Sequence, residues 1–207
     1  MSRLAEAREK LFAKLRREGA AGERVLRAME SVPREAFAPP DLGDEAYADE
    51  ALRIGCGQTI SQPFIVAYMT EALDLGDAAR VLEIGAGSGY QTAVLARLAA
   101  KVYSVETHRP LAMEALARIE ALGFNNVEIA HGDGAAGWAE HAPFDRVIVT
   151  AAAREPPRAL IEQLGEGGVI VLPLGGDRKS QHLFRGRKRA GRMRWRRLMP
   201  VRFVPFT

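Results

Sequence analysis

Acidic side chains recur at or near the ends of successive apolar runs, where they would meet a ligand. Val81-Leu82-Glu83-Ile84 runs into Gly85-Ala86-Gly87-Ser88-Gly89-Tyr90, the pattern of a strand that turns through glycines into a helix. Glycines in such a turn let a ligand approach the backbone closely. A dinucleotide fingerprint spaces them Gly-x-Gly-x-x-Gly, whereas here the third comes one residue early and Tyr90 takes its place, which disfavours a pyrophosphate. Glu106 ends the next apolar run, 21 positions after Gly85, where a carboxylate can accept both hydroxyls of a ribose. Asp133, in Gly132-Asp133-Gly134, follows the third run and can accept an adenine amino hydrogen. Either acid alone also fits a solvated loop. Together at successive strand ends they converge on one crevice, offering carboxylates to sugar and base and no lysine to phosphate. S-adenosylmethionine, a nucleoside carrying a sulfonium cation, has those needs, and Glu83 with this acidic rim would suit its charge.

A parallel sheet is required to bring such strand ends together. The spacing predicts strands at 81–84, 102–105, 127–129, 146–150 and 169–172, alternating with helices at about 90–98, 111–122 and 157–164. Ahead of them stand a helix carrying Leu4, Leu11 and Leu15, a break near Gly19–Gly22, a short helix around Val25–Met29, a proline-rich loop stretch and a helix over 64–73 opened by Pro63. After Gly175-Gly176, residues 181–187 and 193–204 read as a β-hairpin around Ala190-Gly191. The expected fold is doubly wound α/β: a mostly parallel sheet with helices on both faces, an N-terminal helical extension and a C-terminal β-hairpin. One domain over 1–207 divides into an extension with a substrate loop (1–62), a cofactor core (63–174) and the hairpin (175–207).

With 207 residues, 47% of them hydrophobic and 27% charged, the chain can build a full core. No apolar run is long enough to span a membrane, and the charged start is unlike a signal peptide, so a cytoplasmic protein is expected, acting as a monomer. A single cysteine, Cys56, excludes an internal disulfide, and its Gly-Cys-Gly turn suggests packing. His108, His131, His141 and His182 lack metal-ligand spacing and read as surface or cap residues, so no metal is expected. The net charge of +3 is uneven: residues 178–207 hold eleven basic and no acidic side chains, leaving a net −8 on the rest. Such an end can signal nucleic acid, but alternation with Met193 and Trp195 points to an edge strand with one wet, charged face. Nucleic acid is therefore not the expected partner, while attraction of acidic polypeptides stays open.

The methyl acceptor is constrained by what is missing. There is no Asn/Asp-Pro-Pro-aromatic run after the fourth strand, where Thr150-Ala151-Ala152-Ala153 stands instead, and Cys56 precedes the cofactor core, so neither amino nor C5 methylation of bases is supported. Ser61, just before Gln62-Pro63, can cap the following helix or face a substrate. The wider pattern decides. Val32-Pro33-Arg34-Glu35-Ala36-Phe37, Ala46-Tyr47-Ala48-Asp49, Gly57-Gln58-Thr59-Ile60-Ser61-Gln62-Pro63, Gly85-Ala86-Gly87-Ser88-Gly89-Tyr90-Gln91, Gly132-Asp133-Gly134, Ala142-Pro143-Phe144-Asp145, Val149-Thr150-Ala151-Ala152-Ala153 and Val201-Arg202-Phe203-Val204-Pro205 resemble, in order, the motifs of the protein-L-isoaspartate O-methyltransferases, a class I S-adenosylmethionine-dependent family. The resemblance implies methylation of the free α-carboxylate of L-isoaspartyl residues in damaged proteins and peptides. The ester then leads to a succinimide and partial return to aspartate, and S-adenosyl-L-homocysteine is the other product. By the same resemblance Ser61 is the active-site serine, Gln58, Thr59, Ile60 and Val204 meet the substrate, and Glu83, Gly85, Ala86, Gly87, Ser88, Glu106, Asp133 and Gly134 bind the cofactor. Cys56, Ala86 and Thr107-His108 depart from the family's usual residues, and the chain's stop at Thr207 implies a short tail. An RNA-modifying methyltransferase using the basic end, and a non-catalytic cofactor-binding fold, are the rival expectations.

Overall fold

The computed structural model describes residues 2–176 and 180–206. Helix α1 (Arg3–Arg17) is capped by the Ser2 hydroxyl, which accepts the Ala5 N–H, and it buries Leu11, Phe12 and Leu15 on one stripe. The chain breaks at Gly19, then α2 (Glu23–Glu30) buries Val25, Leu26 and Met29 in the same cluster. The proline-rich stretch forms short 3-10 turns at Arg34–Phe37, Pro40–Glu45 and Gly55–Gly57, the last set between two-residue strands β1 (Leu52–Arg53) and β2 (Thr59–Ile60) that pair antiparallel. Helix α3 (Pro63–Ala72) follows, with proline in its first turn as predicted.

The cap of α3 comes from Asp49 rather than from Ser61. One Asp49 oxygen accepts the Phe64 N–H at 2.9 Å and the other meets Lys14 Nζ at 2.7 Å, so this carboxylate ties α1, the loop and α3 together. Asp49→Ala is expected to lower unfolding stability by about 1–2 kcal/mol in a urea titration, and an unchanged midpoint would refute that role. Freed from capping, Ser61 has its hydroxyl available.

Seven strands follow: β3 (Arg80–Ile84), β4 (Lys101–Glu106), β5 (Val127–His131), β6 (Phe144–Val149), β7 (Leu164–Leu174), β8 (His182–Arg189) and β9 (Arg192–Pro200), in spatial order β5-β4-β3-β6-β7-β8-β9. The first five are parallel, joined through helices α4 (Tyr90–Ala96), α5 (Arg109–Ala121) and α6 (Arg158–Gln163), while β8 and β9 add antiparallel. Their near-continuous apolar runs suit burial on both faces. Val81, Ile148 and Val171 pack with Met69, Leu73 and Leu95 on one side, and Leu82, Val147 and Ile170 with Leu160 on the other.

The doubly wound sheet, the N-terminal helices and the hairpin match expectation, with local differences. Strand β7 starts at Leu164 rather than Val169, because Leu164 pairs with Phe144 before a register shift. Ala190 and Gly191, both at positive φ, close the β8–β9 turn, where Glu166 accepts both of their N–H groups. Strand β9 is wetter than one charged face requires, with Arg192, Arg194, Trp195, Arg196 and Arg197 all exposed. Cys56 is exposed at φ +57, not packed.

Candidate active site

Connections leave β3 toward β4 on one side and return to β6 on the other, so a crevice opens between the carboxyl ends of β3 and β6, where α/β sheets take ligands. Gly85 stands at the end of β3 at φ +94, its N–H donating to the Val105 carbonyl at 2.8 Å. A Cβ there would lie 2.3 Å from Thr150 Oγ1. That hydroxyl is 2.7 Å from the Gly85 carbonyl and 3.0 Å from that of Ile84, which also accepts the Thr150 N–H. Two residues on, Gly87 at φ +55 donates its N–H to Glu106 Oε2 at 2.8 Å, while the His108 N–H reaches Oε1 at 2.9 Å. Glu106 is thereby clamped with one backbone donor on each oxygen, and each oxygen retains acceptor capacity.

The cavity over this turn is lined by Gln58, Thr59, Ile60, Ser61, Gly85, Ala86, Gly87, Ser88, Glu106 and Val204, so the structure brings together ten of the residues singled out in the sequence. Three others lie off its wall. Glu83 points from β3 beneath α4, fully buried, where Thr92 and Ser104 hydroxyls donate to one of its oxygens. Asp133 is exposed and uses one oxygen to accept the Ala135 N–H at 2.8 Å. Gly134 sits just behind the wall, where a Cβ would meet Ile84 at 2.4 Å. Burial drives the Glu83 carboxyl up to about 7, aided by the charge of Glu106 and opposed by the two hydroxyls.

Several lining residues were given no role in the site from the sequence. Thr150 is one, recognisable only once β6 is known to lie beside β3. His108 is another: its Nε2 lies 3.2 Å from Gln58 Nε2, linking the β1–β2 loop to the β4–α5 turn, so it helps roof the cavity rather than only starting a helix. Phe206, near the chain's end, closes one side. Arg34, fully buried, donates from Nε to the Ala46 carbonyl and from Nη2 to that of Ser61, both at 2.8 Å, with its guanidinium 4.7 Å from the Tyr90 ring centre. Burial lowers its pKa. This residue secures the Ser61 turn against the cofactor-side helix.

No lysine or arginine faces the cavity among the described residues, and one clamped carboxylate does. That donor set fits a cationic nucleoside and not a pyrophosphate, so fold and site together define a class I S-adenosylmethionine-dependent methyltransferase. The family model for protein-L-isoaspartate(D-aspartate) O-methyltransferase matches residues 6–207. A Rhodospirillum centenum protein-L-isoaspartate O-methyltransferase is 53% identical over 197 residues, covering 95% of this chain and 89% of that one. One from Dictyoglomus turgidum is 52% identical, covering 96% and 90%. The fold also superposes on a Plasmodium falciparum protein described as a protein-L-isoaspartate O-methyltransferase and solved with S-adenosyl-L-homocysteine, at a TM-score of 0.85 and 27% identity, over 97% of this chain and 98% of that one. The chain belongs to the protein-L-isoaspartate(D-aspartate) O-methyltransferase family.

Proposed function

We propose that this enzyme methylates the free α-carboxylate of L-isoaspartyl residues in damaged polypeptides, with Ser61 holding the acceptor. The observation that carries the reading is a shared wall. Thr59, Ser61, Thr150 and Val204 line both the cofactor cavity and a second, more open groove that runs past Phe64, Gln181 and Met199 to Arg202. The Ser61 hydroxyl makes no hydrogen bond among the described residues, which leaves it free to donate to a carboxylate at that aperture.

S-adenosylmethionine supplies an electrophilic methyl group on its sulfonium. The chain's own residues then have only to bind and orient. An α-carboxylate has a pKa near 4 and is ionised at pH 7, so no base is needed. Glu106 serves the ribose and Gly85–Ser88 pass close to the nucleoside. Asp133, with one oxygen engaged by Ala135, offers the other to the adenine side, Gly134 backs that wall, and Glu83 acts from beneath. Gln58, Thr59 and Ile60 shape the acceptor's pocket. The Val204 carbonyl already accepts the Ala152 N–H, so its own N–H is the group left for a peptide carbonyl. The three segments work as one catalytic unit, a monomer in the cytoplasm; no helix among the described residues is long and apolar enough to cross a membrane.

Radiolabelled methyl transfer to one peptide in isoaspartyl and aspartyl forms tests the reading. Only the isoaspartyl form should be labelled, in a base-labile bond, and Ser61→Ala should lower kcat/KM about tenfold, the worth of one charge-assisted hydrogen bond. Equal labelling of both forms, or none, would sink it.

A further inference from the structure

The hairpin register sets three arginine pairs face to face: Arg185 opposite Arg196, Arg187 opposite Arg194, and Arg189 opposite Arg192. Alternate residues of a strand share a face, so all six side chains leave the same side of the ribbon, spaced about 5 Å across and about 7 Å along it. Arg146 of β6 lies in the same row, since it pairs with Val169, which pairs with Arg187. Like charges directly opposed in a sheet are destabilising. The neighbouring carboxylates do little to offset them. Asp74 approaches Arg185 at 3.7 Å, and Glu166 is engaged by the turn's N–H groups. Arg189, Arg192, Arg194 and Arg196 are exposed and enter no ion pair among the described residues. A surface of this kind is stabilised by an external anion.

Two features say which anion. Strand β9 carries Arg192, Arg194 and Arg196 from the turn toward Pro200, and the residues directly after it, Val201–Val204, line the groove that meets Ser61, whose wall also holds Glu18 and the Lys14–Asp49 ion pair. None of the six paired arginines lines the groove itself, but the strand that carries three of them leads directly into it. Exposed Trp195 lies over Gly186 with Met193 on the opposite side of the ribbon, so no aromatic platform accompanies the arginines, as single-stranded nucleic acid would use. We propose that the arginine face binds acidic stretches of the substrate polypeptide at a distance from the isoaspartyl residue, a specificity that rests on the isoaspartyl reading above. Conversion of asparagine to isoaspartate adds a negative charge to a polypeptide, and residues 1–177 carry a net −8 that would repel it. The basic ribbon offers the opposite charge along the strand that leads to the groove.

Two isoaspartyl peptides test this, identical except for four glutamates or four glutamines placed about eight residues from the isoaspartyl, the extended reach from Arg196 to Val204. The glutamate peptide should have a kcat/KM about tenfold higher at about 20 mM salt, and the ratio should approach one at about 0.5 M. The triple variant Arg192→Gln, Arg194→Gln, Arg196→Gln should show a ratio near one throughout, with the glutamine peptide methylated as in the wild type. A wild-type ratio of one, a ratio insensitive to salt, or an undiminished ratio in the folded variant would overturn the proposal; should the variant not fold, the wild-type salt series decides. Salt-sensitive binding of a single-stranded oligonucleotide that the triple substitution abolishes, with no peptide ratio, would assign the face to nucleic acid instead. Methylation of neither peptide would count against the isoaspartyl reading itself, which equal methylation of both would leave standing.

Discussion

Gly85→Ala is expected to abolish binding of S-adenosyl-L-homocysteine and to cost the protein a large part of its stability. Two separate penalties coincide at this position. At φ +94 an L side chain is strained by about 1–3 kcal/mol. The added methyl would also sit 2.3 Å from Thr150 Oγ1. Thr150 has little room to withdraw, because its hydroxyl is held by the Ile84 and Gly85 carbonyls and its N–H by Ile84. Relieving the contact means parting the ends of β3 and β6, at about another 1–3 kcal/mol. Against a total of roughly 5–15 kcal/mol, that sum threatens folding itself. Thermal unfolding should show a fall of more than about 10 °C, and calorimetric titration should show no nucleoside binding. Adding Thr150→Ala separates the two penalties: it removes the oxygen and leaves the strained φ, so stability should return only in part. A Gly85→Ala protein with wild-type melting temperature and affinity would refute the account.

The glycine turn was legible because local spacing dictates it, and so were the strand ends carrying Glu106 and Asp133. Thr150 was not, since its role exists only through the neighbouring strand, and neighbour order is a property of topology rather than of any short motif. The same holds for Arg34, a charged side chain buried against two carbonyls, and for the register of the arginine pairs, although the hairpin around Ala190-Gly191 was itself legible. Glu83 illustrates the converse. A carboxylate next to a glycine turn invites assignment to the rim, yet strand alternation turns it with Val81 toward the helix layer, while Leu82 and Ile84 face the other way. Ser61 carried two meanings in the sequence; Asp49 takes the capping one, and the substrate-facing one is the proposal made above.

That buried position gives Glu83 a measurable signature. Its folded pKa of about 7 lies above the 4.5 ordinary for the group, first because burial penalises the charged form and then because Glu106 repels it, with Ser104 and Thr92 opposing both. Between those two values the folded state holds a proton that the unfolded state has released, so stability falls as pH rises through this window and levels off above it. The full excursion amounts to about 3 kcal/mol. Glu83→Gln keeps an oxygen to accept from Thr92 and Ser104 but cannot ionise. Its amide nitrogen, however, would replace Oε1, which has no partner among the described residues, so stability at a single pH does not isolate the charge. The slope does. Urea unfolding of both proteins from pH 5 to pH 8 should show the wild type losing stability relative to the variant by about 2.5 kcal/mol, with most of the change below about pH 7. Groups that titrate alike in both proteins cancel in that difference. Parallel curves would mean that the carboxylate beneath the cofactor turn is ionised throughout and that its burial is compensated by something other than a proton.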